Sequence, residues 1–379
     1  MRYPPIYPSL PAVKPVNFKV WLRYMAIISA GTLLITNIVW PEGKSTKTIS
    51  FWFVGLIIPM SLMLLAFGFS FFLKKLTEYN NHILTETFGK DTEKWQEYQS
   101  AFLPVRKVII IGSLGYNQYQ WSVLLSGKPL PPAPVSENGK MRLNCPVLVG
   151  KQENRENMLA KLLANELYQS LGQEETVSVS RIYWSGSFDS MTAFIAQLSS
   201  KGISVPPSGK VILSVNELDE IIDDFYRKTY TGGSVLFAGT NLSDITDQTL
   251  AETGFLWLID PEHTCRVYRC EEMTLNEDDP EIVANQVTGY AGSDSPPDIT
   301  LAMDAAGAGV FLSTILHGSE NIISAYYGDI TGSSPFIAIT QALAQSVSRN
   351  GNTCGWISGA SGNKYIAGVV SKNENTKHE

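Results

Sequence analysis

The sequence predicts an α/β domain carried behind an N-terminal transmembrane helical hairpin, on three observations. Phe51 to Phe72, FWFVGLIIPMSLMLLAFGFSFF, contains no charged residue. A second apolar run, Met25 to Trp40, stands just before it and is extended across Arg23 by Trp21 and Leu22. After Pro104 the pattern changes to short strand-like apolar runs alternating with helical segments, as layered sheets and helices require.

At about 1.5 Å per residue the Phe51 to Phe72 run reaches about 33 Å, roughly the hydrocarbon thickness of a bilayer. Pro59 inside it is tolerated in a membrane helix when a neighbouring group takes up the carbonyl it frees. Trp21, Tyr24 and Trp40 bracket the first span, and Phe51 with Trp52 opens the second, as aromatic rings do at headgroup level. Ser29, Ala30 and Gly31 offer a small surface for helix contact. Arg2, Lys14, Lys19 and Arg23 precede the first span and Lys74 and Lys75 follow the second, which predicts both termini and the domain on the cytoplasmic side of a bacterial inner membrane. The first run lacks a small-residue cleavage site and a second span follows it, so the hairpin is expected to remain as an anchor.

In chain order, residues 1–18 with Pro4, Pro5, Pro8, Pro11 and Pro15 predict an extended arm, read as a disordered lead-in. The hairpin occupies 19–75. Residues 76–103 read as an amphipathic juxtamembrane helix interrupted at Gly89. The α/β domain spans 104–372, and a polar tail covers 373–379.

Within the domain, strands are expected at Val108–Ile111, Pro146–Val149, Arg181–Trp184, Val211–Val215, Ser234–Ala238, Gly254–Ile259, Cys265–Cys270, Ile299–Met303, Ile323–Tyr327, Thr353–Ile357 and Lys364–Val370. Helices are expected at Glu153–Leu171, Ser190–Leu198, Glu217–Arg227, Gly307–Leu316 and Ser334–Val347. No internal repeat is visible in residue identity.

The 379 residues are 44% hydrophobic and 17% charged with a net charge of −7, and no basic cluster stands beyond the membrane flanks, which argues against nucleic-acid binding. Cys145, Cys265, Cys270 and Cys354 are expected to be reduced in the cytoplasm. In CRVYRC, strand alternation predicts that Cys265 and Cys270 face opposite sides, which leaves no metal or disulfide role. GxSxG, GxxxxGK[ST], HExxH and GxGxxG are all absent. The histidines at 82, 263, 317 and 378 read as structural or surface residues, since no nucleophile is matched to them.

The ordered pieces GSVLFAGTNLSD, LAETGFLWLIDP, ITLAMDAAGAG, YYGDITGSSPFIAITQALA and GNTCGWISGASGNKYIAGVV together resemble the back half of the β-ketoacyl synthase group of the thiolase superfamily. That resemblance implies a thiolase-like fold of two similar halves, with mixed sheets between helix layers. It also implies where chemistry would sit. The family's His in the Gly-His turn falls on Asp329, its other His around Asp304, and the strand-to-helix junction that should carry its Cys reads VILSVNE, with only Ser214. A carboxylate cannot supply a neutral imidazole donor, and a serine without a base is a poor nucleophile. The expectation is therefore a pseudoenzyme with a degenerate cleft at Ser214, Asp304 and Asp329, and with no catalytic residue, cofactor or metal.

The anchored arrangement also resembles accessory membrane proteins of type VI secretion effector modules. This implies an adaptor or immunity role, with a secreted toxin or secretion component as protein partner beside the lipid bilayer. Two alternatives stand: a residual acyl-handling enzyme using Asp304, Asp329 and Ser214, and a structural membrane-assembly subunit. Thiolase-like domains commonly pair through a sheet edge, so the resemblance also implies a homodimer.

Overall fold

The computed structural model describes residues 5–137, 140–149, 155–172, 177–226, 232–242, 250–261, 265–293, 295–328, 330, 332–348, 353–360 and 362–372. The chain divides into two compact units, Met1–Tyr98 and Gln99–Glu379.

In the first unit, α1 (Phe18–Val39) starts at Asn17, whose side chain accepts from Lys19 N at 3.1 Å. A second helix, α2, runs from Ile49 to Ser100, and both helices are long and apolar enough to cross a membrane. Pro59 is absorbed by a wider π-helical turn at Phe53–Ile57 just before it. Pro59 would leave the Gly55 carbonyl, four residues earlier, without a donor. Thr32 Oγ1 of α1 lies 2.9 Å from that oxygen, and also 2.9 and 3.0 Å from the Ile28 and Ser29 carbonyls of its own helix. The close approach of the helices is at Gly55, where a Cβ would stand 3.2 Å from Leu33 Cδ2 and from Thr36 Oγ1. It is not at Gly31, which has open space around it. The contact is set by the π turn, which turns Gly55 towards α1.

Gly89 does not interrupt α2. A glycine costs a helix only about 1 kcal/mol, and Lys90 reaches back to Glu86 at 2.7 Å across that turn. The described part of the arm is extended but packed: Tyr7 stacks on Phe88 with centroids 4.2 Å apart and donates to its carbonyl, and Asn81 Nδ2 donates to Pro11 O at 2.9 Å. Two aromatic faces and an amide thus order the segment read from sequence as disordered.

In the second unit, β1 (Phe102–Ile111) is followed by a short helix α3 (Gln118–Ser122) and the hairpin β2 (Val135–Glu137) and β3 (Lys140–Leu143). Then come α4 (Arg155–Leu171), β4 (Val179–Ser185), α5 (Phe188–Ser200), β5 (Lys210–Val211), α6 (Leu218–Tyr226), β6 (Ser234–Leu242) and β7 (Leu250–Ile259). The second half holds β8 (Cys265–Thr274), α7 (Pro280–Tyr290), β9 (Ile299–Ala302), α8 (Ala305–Val310), α9 (Ser334–Ser348), β10 (Thr353–Gly359) and β11 (Lys364–Lys372).

The strands form one sheet in the order β5-β4-β6-β7-β1-β8-β11-β10-β9. In the first half, β5, β4 and β6 are parallel and β7 runs antiparallel to both β6 and β1. The second half repeats this plan: β9 and β10 are parallel and β11 runs antiparallel to both β10 and β8. The counterpart of β5 shrinks to a single bridge between Ala302 and Ile322. The halves join where Phe102–Val105 of β1 pairs antiparallel with Cys265–Tyr268 of β8. This duplication is one of strand order, which residue identity does not reveal.

Helices α4 and α5 cover the first half through Leu159, Leu163 and Phe194, and α7 and α8 cover the second through Val287 and Ala308. Between them lies α9, with Phe336, Ile337, Ala342 and Leu343 in the same core as Ile110, Trp257 and Trp356. A helix buried on all sides must satisfy its polar residues internally. Thr340 accepts from Trp257 Nε1 at 2.8 Å, and Gln341 accepts from Tyr327 Oη and donates to Trp121 O, both at 2.7 Å.

Several local expectations are corrected. Pro146–Val149 is a turn, with the strand earlier at Lys140–Leu143. Side chains take the backbone there in place of a ladder: Arg155 Nη1 bonds Leu148 O at 2.9 Å. Of Val211–Val215 only Val211 is extended in the sheet, because Ser214 starts a 3-10 turn. Ser324–Tyr327 is a helical turn, not a strand. The helix expected at Gly307–Leu316 is the shorter α8, and α7 had no expected counterpart despite Asp279 and Pro280 at its start. Cys265 and Cys270 both join the inner core. Gly368 pairs with Cys270 but Val370 with Val267, so β8 spends one residue more than β11 and a bulge reverses its alternation.

Candidate functional site

A cavity of about 1120 Å3 in the second unit opens where β9 and β10 end and α9 begins. One wall is Asp304 after β9, Gly328 and Gly332 ahead of α9, Ser334 at its start, and Gly359 with Ala360 at the end of β10. The facing wall is Pro131–Pro134 with Met141 and Leu143 of β3. Tyr326 Oη donates to Pro129 O at 2.6 Å and ties this proline segment down, and burial pushes the Tyr326 phenol up, which keeps it a neutral donor. Three prolines in four residues give an extended, stiff wall at little entropic cost. This feature was not picked out from the sequence, although KPLPPAP is a compositional signal for it.

Beneath that wall lies a buried charge cluster. Glu252 at the start of β7 accepts from Arg155 Nε at 2.5 Å, Arg155 Nη2 at 2.6 Å and Cys145 N at 2.8 Å, with Arg142 Nη1 at 3.8 Å. It holds the connection from β3 to α4 against the sheet. Sequence reasoning missed it, because no spacing rule links positions this far apart.

The expected cleft residues are placed differently from one another. Asp304 lines the cavity, but its Oδ1 is engaged by Gly307 N at 2.6 Å as the N-cap of α8. Ser214 does not line it. Its hydroxyl accepts from Asn216 N at 3.2 Å, and Glu217 Oε1 accepts from Leu213 N at 2.9 Å and from Ser214 N at 3.3 Å, a reciprocal capping box. Asp329 lies outside the described residues, as do His263 and His378, while its neighbour Gly328 is in the cavity wall.

Among the described lining residues Asp304 is the ionisable group, Ser324 and Ser334 supply hydroxyls, and the rest are apolar or glycine. Ser334 Oγ lies 2.8 Å from Ser358 Oγ. No group of three His, Cys, Asp or Glu among the described residues could hold a metal. His82 and His317 are exposed and outside this cavity.

None of the four cysteines forms a disulfide, all four are buried, and none is in the described lining. Burial pushes the Cys145 thiol up, away from the reactive thiolate. The folded protein is therefore expected to take up no thiol-specific maleimide at neutral pH and to take up four equivalents once denatured. One rapid equivalent in the folded state, counted by intact mass, would reveal an activated cysteine and refute this reading.

Neither a family model nor a curated protein matches the sequence. Solved structures do match in shape. The ishigamide ketosynthase/chain length factor gives a TM-score of 0.50 at 12% identity, over 72% of this chain and 99% of that one. The PfaC keto synthase-chain length factor gives 0.54 at 11% identity, over 74% of this chain and 43% of that one. The ketosynthase from module 1 of the bacillaene synthase of Bacillus amyloliquefaciens FZB42 gives 0.52 at 9% identity, over 74% and 75%. At such identities the likeness is one of fold alone: the second unit has a thiolase-like α/β fold.

Proposed function

We propose that this chain is a membrane-anchored thiolase-fold protein whose domain binds a partner instead of condensing acyl thioesters. One observation carries the reading: the described wall of the cavity offers no Cys and no His, its carboxylate has Oδ1 engaged in capping α8, and Ser214 caps its own helix elsewhere. A fold can outlast its chemistry and keep its surface. The helices α1 and α2 supply the anchor, with both termini and the domain on the cytoplasmic face of an inner membrane. The resemblance to type VI effector modules makes a secreted toxin or a secretion component the first partner to test, in an adaptor or immunity role.

The cavity itself favours a second reading, a residual acyl-handling activity, because its volume is large enough for a small-molecule ligand. Affinity capture from detergent-extracted membranes separates the two, using the full chain beside a chain beginning at Gln99. Recovery of the same toxin-like or secretion protein by both supports the binding domain. Recovery of acyl carrier protein or an acyl thioester, with turnover of that thioester, overturns it.

A further inference from the structure

We propose that α2 pairs in parallel with α2 of a second copy of this chain, along a seam that begins in the membrane-length run and continues beyond it. Ile58, Leu62, Leu65, Phe69 and Phe72 recur at alternating steps of four and three residues. Leu76, Tyr79 and Ile83 continue the same steps past the basic pair Lys74 and Lys75. This is the 3.5-residue repeat of a left-handed coiled coil, and each of these side chains is between 40% and 69% exposed.

Inside a bilayer an apolar stripe is covered by lipid, so the first five positions alone decide little. The last three stand among Lys75, Glu78, His82 and Glu86, where the helix faces water, and an exposed apolar stripe there calls for a protein surface. The N-terminal arm is not that surface. It bonds Asn81 and stacks on Phe88, which at about 100° per residue lie on the far side of the helix from the seam.

The occupant follows from area, charge and register. Covering the exposed fractions of these eight side chains removes about 800 Å2 from each helix, about a third of it on Leu76, Tyr79 and Ile83 beyond the lipid. A shallow groove runs along the seam beside Ser61 and Gly68, whose small side chains let a second backbone approach. The next residue at that seven-residue spacing, Lys75, is neutralised by Glu78 of its own helix at 2.8 Å. The following seam positions, Glu86 and Lys90, pair with each other at 2.7 Å and close the seam. Copies of one membrane chain insert with one orientation and depth. An identical helix therefore meets this one in parallel with its lysine pair level, and its seam passes from lipid to water at the same residue.

Single cysteines introduced into the full chain and oxidised in native membranes test this. Leu76→Cys, Tyr79→Cys and Ile83→Cys are expected to give a disulfide-linked species of twice the chain mass, about tenfold more than Thr77→Cys or Asn81→Cys, since only seam positions bring two Cβ atoms within bonding range. The native mass of the full chain in detergent should be dimeric and should halve in the double variant Leu76→Glu, Tyr79→Glu, whose surface positions leave folding intact. Uniform crosslinking at all five positions, adducts of another mass, or a monomeric wild-type chain would each overturn the pairing.

Discussion

Glu252→Gln is expected to destabilise the domain by about 3–5 kcal/mol, the usual cost of removing one partner from a buried ion pair. Glu252 is 1% exposed and is the carboxylate towards which both Arg155 and Arg142 are directed. The amide keeps the shape and can still accept from Cys145 N, but it leaves two buried guanidinium groups without their shared negative charge. For a domain of this size that corresponds to a fall in Tm on the order of 10 °C, readable by thermal unfolding of the full chain in detergent. A surface pair provides the contrast. Lys210 lies 3.1 Å from Glu220 with both side chains at least half exposed, and Lys210→Met should change stability by less than about 1 kcal/mol. Equal effects from the two substitutions would show that the buried cluster is not what ties the β3 to α4 connection to the sheet.

Gly239→Ala should be at least as damaging, at about 3 kcal/mol or more, through steric overlap instead of charge. Gly239 sits in β6 between β4 and β7, and a Cβ there would overlap the Ser185 carbonyl oxygen and stand 2.7 Å from Phe255 Cε1. The first contact is with backbone, which cannot swing away, so the parallel pairing of β4 with β6 must open. Gly309→Ala in α8, with nothing near its missing side chain, is expected to be neutral or stabilising by a few tenths of a kcal/mol. Matching melting curves for the two variants would mean that β6 and β4 can separate without loss of the fold.

The candidate site was legible only in part. Asp304 was assigned to the cleft by the resemblance of MDAAGAG to a family motif, and its role as the N-cap of α8 is visible only in the structure. Ser214 was assigned to a cleft by analogy of position, whereas its own sequence, S-V-N-E, already encodes the capping box that occupies it. The facing wall at Pro131–Pro134 escaped notice because nothing in that segment indicates which cavity it will face.

What the sequence determined by itself is whatever depends on neighbours a few residues away: the two membrane-length apolar runs in α1 and α2, the alternation of strands and helices, and the absence of nucleotide, zinc and hydrolase motifs. Tertiary structure decided the rest. Whether Cys265 and Cys270 share a face depends on a bulge that exists only because β11 is one residue shorter opposite β8. Whether Gly89 breaks α2 depends on Lys90, Glu86 and the arm residue Tyr7, which packs there from the other end of the unit. The repeat of the two halves resides in strand order, and the Glu252 cluster joins positions about a hundred residues apart. Local periodicity is imposed by backbone geometry and can be read along the chain. Register, burial and charge pairing are set by which segments meet, and they become definite only once the layers have closed.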